Sequence, residues 1–250
     1  MTLNHSLSAI FKDPLLRETD SDGDTCIDGS LIIKTLDKQT LDFFIAQCIV
    51  RNSDGGIVCS SRDEREDCLS DGEELSIDLN NGYFKANTLG NSAKVRVDVD
   101  LLGCKANYAQ LPSIHLGDGS PGLYGLNQEV SLGENITIQS LAVAVKAPDE
   151  DGDVRIEIRA LICNASTCQL PKFELKARAI GSGGREIDDT YTYETIAPSE
   201  RKVIELSFYS IKANRMRGLS ISADATAFII QGKGNASCEV GTTNQISLNT

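Results

Sequence analysis

The sequence predicts an all-β protein: an antiparallel β-sandwich or jelly roll containing a duplicated strand-turn-strand unit. Three observations carry that expectation. Apolar and polar residues alternate along much of the chain, turn-forming clusters separate the alternating runs, and one such run recurs 59 residues further on.

The alternation is plainest at 94–101. Val95, Val97, Val99 and Leu101 fall on one face of an extended chain, and Lys94, Arg96, Asp98 and Asp100 on the other, as in a half-buried strand. Val154, Ile156 and Ile158 alternate in the same way with Arg155, Glu157 and Arg159. The same criterion predicts strands at 41–51, 75–79, 136–146, 173–179, 187–195, 203–212 and 219–231. Ser53-Asp54-Gly55-Gly56, Asn80-Asn81-Gly82, Asp151-Gly152 and Gly181-Ser182-Gly183-Gly184 supply turns between them. No long amphipathic helix is expected, and residues 7–16 read as a helical turn or two.

The repeat begins at Val95 and runs through Leu102, Cys104, Ala106 and Gln110-Leu111-Pro112. Its second copy begins at Val154 and runs through Leu161, Cys163, Ala165 and Gln169-Leu170-Pro171. A unit that short cannot bury its own apolar face, so the copies are expected to pack together or on other strands. Residues 1–28 read as an N-terminal arm with an acidic loop, and 29–250 as the β-sandwich region. The Gly-rich stretch 117–127 is where that region would divide.

The composition excludes several functions. A net charge of −12 repels nucleic acid and anionic lipid. The longest apolar run, 43–50, is too short to enter a bilayer as a spanning helix, so no membrane insertion is expected. With no Trp and 5% aromatic residues, the chain lacks the stacked platforms common in sugar-binding sites. The eight cysteines form no C-x-x-C pair and have only two histidines to accompany them, which favours disulfides over structural zinc and an extracellular location. Cys163 and Cys168 are the expected close pair. Asn4, Asn135, Asn164 and Asn235 each open an N-x-[ST] sequon.

Two acidic loops are the candidate metal sites. Asp20-Ser21-Asp22-Gly23-Asp24, with Asp28 beyond it, and Asp149-Glu150-Asp151-Gly152-Asp153 share alternate carboxylates around a glycine, a pattern able to wrap calcium. Neither has EF-hand spacing, and Asp151-Gly152 reads most simply as a hairpin turn. No catalytic signature is present: no G-x-S-x-G elbow, H-E-x-x-H pair, Walker loop or dinucleotide fingerprint. The expected function is therefore that of a non-enzymatic structural subunit of an extracellular assembly, a surface filament or a virion coat or decoration protein. Its partners would be further copies or other subunits, docked through the arm. The alternative is a secreted β-sandwich adhesin or a module that binds a glycan or protein.

Overall fold

The structure is a computed structural model and describes residues 5–36, 40–79, 83–89, 94–126 and 128–241. Asn4 and the Asn80-Asn81-Gly82 turn lie outside the described residues. The chain divides into two compact units, the first comprising Thr2–Lys105 with Ile230–Thr250 and the second Ala106–Ile229.

In the first unit, β1 (His5–Leu16) runs antiparallel to β3 (Ile27–Thr35), which pairs on its other side with β6 (Leu75–Asp78). The two-residue strands β2 (Asp24–Thr25) and β7 (Phe84–Lys85) pair with each other in a separate two-stranded sheet. The other sheet has the order β5–β4–β8–β16, from β4 (Phe43–Arg51), β5 (Ile57–Arg65), β8 (Lys94–His115) and β16 (Ser220–Gly241). Leu7, Leu16, Ile27, Leu31 and Ile33 meet Phe44, Ala46, Cys48, Val50, Val95, Val97 and Val99 in one core.

The second unit pairs β11 (Ile136–Val145) with β12 (Asp153–Asn164), and β12 with β15 (Arg201–Lys212). The short strands β9 (Gly122–Leu126) and β10 (Val130–Ser131) lie on β11. Its other sheet sets β13 (Leu170–Ile180) between β14 (Glu186–Ile196) and β16. Both unit boundaries fall inside strands: residues 106–115 of β8 and 220–229 of β16 belong to this second unit.

The pairing order recurs between the units, with β1–β3–β6 and β5–β4–β8 in the first and β11–β12–β15 and β14–β13–β16 in the second; in the first unit a two-residue parallel pairing of β1 with β16 joins the two runs. Both units are β-sandwiches in which the fourth strand lies beside the third. The units repeat each other at a spacing of 129 residues in their first halves. Leu7 pairs with Thr35 and Leu16 with Ile27, as Ile136 does with Asn164 and Val145 with Ile156. Leu41, Phe44, Ala46, Cys48 and Val50 are buried, and so are their counterparts Leu170, Phe173, Leu175, Ala177 and Ala179. Arg17 N–H donates to Cys26 O at 2.9 Å, and Lys146 N–H donates to Arg155 O at 3.0 Å.

Three expectations are corrected. The 59-residue repeat is not a structural unit, because its first copy lies within the single unbroken strand β8 while its second spans β12, a loop and β13. At the position where they part, Asn164 donates its side-chain amide to the Cys168 carbonyl across a turn, whereas the corresponding Lys105 pairs with Asp42 within the continuous strand. Residues 7–16 form a strand, not helical turns. The segment read as an arm, 1–28, contains this core strand, with Leu7 and Leu16 buried and Ala9 and Phe11 packed on the core.

Deleting residues 1–28 therefore removes a sheet strand, β2 and half of a core contact face. The prediction is loss of the cooperative thermal transition of the first unit, read by calorimetry. Phe44→Ala and Phe173→Ala, at equivalent core positions, are each expected to cost about 3–5 kcal/mol by denaturant unfolding. A truncated chain with an unchanged melt would restore the arm.

Candidate functional site

The acidic loops occupy equivalent places, one in each unit, and are built alike. Asp20 Oδ1 accepts the N–H groups of Asp22 at 3.0 Å and Asp24 at 2.8 Å; Asp149 Oδ1 accepts those of Asp151 at 3.0 Å and Asp153 at 2.8 Å. Gly23 (φ 80°) and Gly152 (φ 75°) supply the left-handed residue that closes each turn. A lysine then seals each loop: Lys85 lies 2.8 Å from Asp24, and Lys212 lies 2.8 Å from Asp153. The same ammonium groups donate to the Asp22 and Asp151 carbonyls at 3.0 and 3.3 Å. Asp28 is paired with Arg17, as its counterpart Glu157 is with Lys146.

Thus the carboxylates expected to converge on calcium are distributed instead between backbone amides and cations of the chain. Among the described residues, no three His, Cys, Asp or Glu side chains come together in a way that could hold a metal ion. The loops close hairpins, and in each a lysine contacts one of the carboxylates and a loop carbonyl.

No disulfide is seen in the structure, in which Cys163 and Cys168, the expected pair, are unbridged. Hydrogen bonds hold the loop between them. The fully buried Asn164 donates its side-chain amide to the carbonyls of Cys168 at 2.9 Å, Ala197 at 3.0 Å and Ile196 at 3.4 Å. Its Oδ1 accepts from the Ser166 hydroxyl at 2.6 Å. This amide is committed to the fold and is closed to glycosylation, while Asn135 and Asn235 are exposed. Burial pushes the Cys104 and Cys238 thiols up to about 12, far from nucleophilic character at neutral pH. His115 is exposed on β8.

The most distinctive surface lies on the outer face of the second unit's β14–β13–β16 sheet. Register sets Tyr193, Glu174 and Thr226 in one row, Tyr191, Lys176 and Asp224 in the next, and Asp189, Arg178 and Ser222 in the third. Tyr191 and Tyr193 are each 63% exposed, and Tyr108 on β8 is 64% exposed. Lys172 sits 5.6 Å from the Tyr193 ring centroid and 5.3 Å from that of Phe228. Lys176 pairs with Asp189 at 3.0 Å. Asp224, buried despite facing outward, accepts from Arg178 and from the Tyr108 hydroxyl, the latter at 2.7 Å. That hydrogen bond, aided by burial, raises the Tyr108 pKa.

The first unit has neither the buried acid nor the tyrosines: Asp100, paired in register with Gln47, stands where Asp224 does and is exposed, while the half-buried Asp98 lies two residues away. Asp98 accepts from Arg96 at 2.8 Å, Ser237 at 2.8 Å and Arg51 at 3.3 Å, while Arg62 and Glu64 stand where Tyr191 and Tyr193 stand in the second unit. A groove of about 720 Å³ on this face is lined by Ile45, Gln47, Arg62, Asp100, Leu102 and Lys233, among others, with Arg62 already turned to Glu64 at 2.8 Å. The sequence reading missed the tyrosine face. Its one signal was the alternation Thr190-Tyr191-Thr192-Tyr193, which places aromatic side chains on the face that charged residues hold elsewhere.

Two predictions follow from these contacts. Asn164→Asp keeps the shape but removes the amide donors, so it should cost about 1–3 kcal/mol for each carbonyl left unpaired, whereas Asp20→Asn keeps its acceptor and should be nearly silent. Urea titrations separate the two, and an Asp20→Asn loss equal to that of Asp20→Ala would contradict the loop account. For Asp98, burial alone would raise the pKa, but hydrogen bonds from Arg96, Ser237 and Arg51 outweigh it and hold the carboxyl below its ordinary 3.8. A depressed folded value stabilises the protein above the unfolded value, and that stabilisation fades as pH falls through the folded one. Asp98→Asn should accordingly flatten the acid limb of the stability–pH curve.

No protein-family model and no curated protein matches the chain. Among solved structures, it aligns with a red sea bream transglutaminase at 12% identity and a TM-score of 0.26, covering 96% of this chain and 31% of that one. It aligns with a structure named pT26-6p at 8% identity and a TM-score of 0.27, covering 92% of this chain and 66% of that one. The chain thus spans about a third of the first and two thirds of the second, and at these scores the likeness carries no argument about function.

Proposed function

We propose that this protein is a non-enzymatic recognition module that binds another protein through the tyrosine-bearing face of its second unit. The observation that carries this reading is the side-chain composition of that face: Tyr108, Tyr191 and Tyr193 stand exposed beside Lys172, Lys176 and Arg178 on a single rigid sheet. Tyrosine and arginine dominate the energetics of protein interfaces, because they bring large contact area and hydrogen bonding at small cost in conformational freedom. The cations are already oriented by Asp189 and Asp224, so binding would not have to order them.

This reading belongs to the binding-module class and departs from assembly through an N-terminal arm. The strand that such an arm would lend to a neighbour is instead part of its own core, which removes the support for that route. Surface filament and virion coat roles therefore have less in the structure to recommend them than recognition does.

Light scattering at high concentration should find a monomer. A photo-crosslinking residue at position 191, introduced in the organism's own fluids or cells, should give one discrete adduct with another protein, and the same residue at position 62 should give none. Adducts formed only between copies of the chain, together with an oligomer in solution, would return the protein to the structural-subunit reading.

A further inference from the structure

The two units carry a carboxylate at the same place on the same sheet and satisfy it differently. In the second unit Asp224 lies opposite Lys176, is buried, and accepts from the Arg178 guanidinium and the Tyr108 hydroxyl. In the first unit Asp100 lies opposite Gln47, is exposed, and its carboxylate has no hydrogen bond or ion pair among the described residues. The register explains the difference. Ile49, opposite Ser60 and Asp98, stands where Arg178 stands opposite Asp189 and Ser222, so the guanidinium that clamps one carboxylate has no counterpart beside the other.

Asp100 instead lines the groove of about 720 Å³, a volume in the range of small-molecule sites. Every lining residue belongs to the first unit. Ile45, 3% exposed, and the half-buried Leu102 give the groove an apolar floor. Arg62 on its wall is neutralised by Glu64 at 2.8 Å, and Gln47 commits its amide to the Ser61 carbonyl at 3.0 Å. Lys233 of β16 also lines it, and its ammonium group, like the Asp100 carboxylate, meets no partner among the described residues.

We infer that this groove binds a free basic amino acid, with its guanidinium or ammonium group on Asp100, its aliphatic stem over Ile45 and Leu102, and its carboxylate on Lys233. The second unit makes the first of these contacts within its own chain, since Asp224 takes a guanidinium. A paired carboxylate and guanidinium form strong, directional hydrogen bonds, and the methylenes of a basic side chain cover apolar surface while its head stays polar. A neutral solute would leave Asp100 unpaired, and a cation without a carboxylate would leave Lys233 unanswered. The site is separate from the tyrosine face, and neither reading depends on the other.

The test titrates L-arginine into the full chain at physiological salt and follows the backbone amides by two-dimensional NMR. Amides of residues 45–47, 100–102 and 233–235 should shift and saturate below about 10 mM, while those at the matching positions 174–176 and 224–226 of the second unit stay in place. Citrulline, which lacks the charge, and agmatine, which lacks the carboxylate, should each bind about tenfold more weakly or not at all. Asp100→Asn, a change at an exposed side chain, should lower the affinity for arginine about tenfold and keep the thermal transition of the parent. Lys233→Met should weaken arginine but not agmatine, which assigns the two ends of the ligand. Three results would overturn the inference: no saturable shift with arginine or lysine, equal binding of citrulline, or binding of a peptide that ends in arginine where the free amino acid does not bind.

Discussion

A two-sheet sandwich can bury only one face of each sheet, and the rest of this molecule depends on how that constraint is met. In each unit a strand of period-two sequence turns one row inward, with Phe44, Ala46, Cys48 and Val50 in one case and Phe173, Leu175, Ala177 and Ala179 in the other. At about 1.5–3 kcal/mol per large apolar side chain, these rows dominate the stabilisation of both units. The alternate rows are free of that duty. They can carry charge, as Arg62 and Glu64 do, or aromatic side chains, as Tyr191 and Tyr193 do, at no cost to the core.

The polar contacts repeated between the units act on geometry more than on stability. The Lys85–Asp24 and Lys212–Asp153 pairs hold half-exposed lysines, and pairs of that kind contribute about 0–1 kcal/mol each. What they fix is where one strand ends and the next begins. The aspartate turns bind their own backbone, and a glutamate shared by both units does the same elsewhere: Glu73 accepts the Ser70 N–H at 2.9 Å and Glu200 accepts that of Ala197 at 2.6 Å. Two units with few identical residues keep the same connections because these few contacts recur at the same places.

Much of the fold was legible in the sequence, since strands such as 94–101 and 154–159 show their alternation openly. β1 was not, for a physical reason. Leu7, Ala9 and Phe11 face the core, but Ile10 faces outward at 53% exposure, and Asp13 at φ 49° and a bulge between Lys12 and Leu15 break the period. The duplication was visible only as the shared Asp-x-Asp-Gly-Asp pattern, whose spacing of 129 residues is the true repeat. The stronger match at 59 residues joined strands that play different parts. Alternate carboxylates serve a hairpin as well as a cation, and the placement of Lys85 and Lys212, some sixty residues downstream, was not legible from the loops themselves.

The central claim is that the chain comprises two equivalent sandwiches that differ in what their outer faces present. Native-state hydrogen exchange resolved by residue tests it directly. The account predicts slow exchange in β1 matching that of β11, with protection patterns in 43–50 and 172–179 that superimpose at the 129-residue spacing. Exchange of residues 5–16 at the rate of an unfolded chain, beside a protected β11, would contradict it.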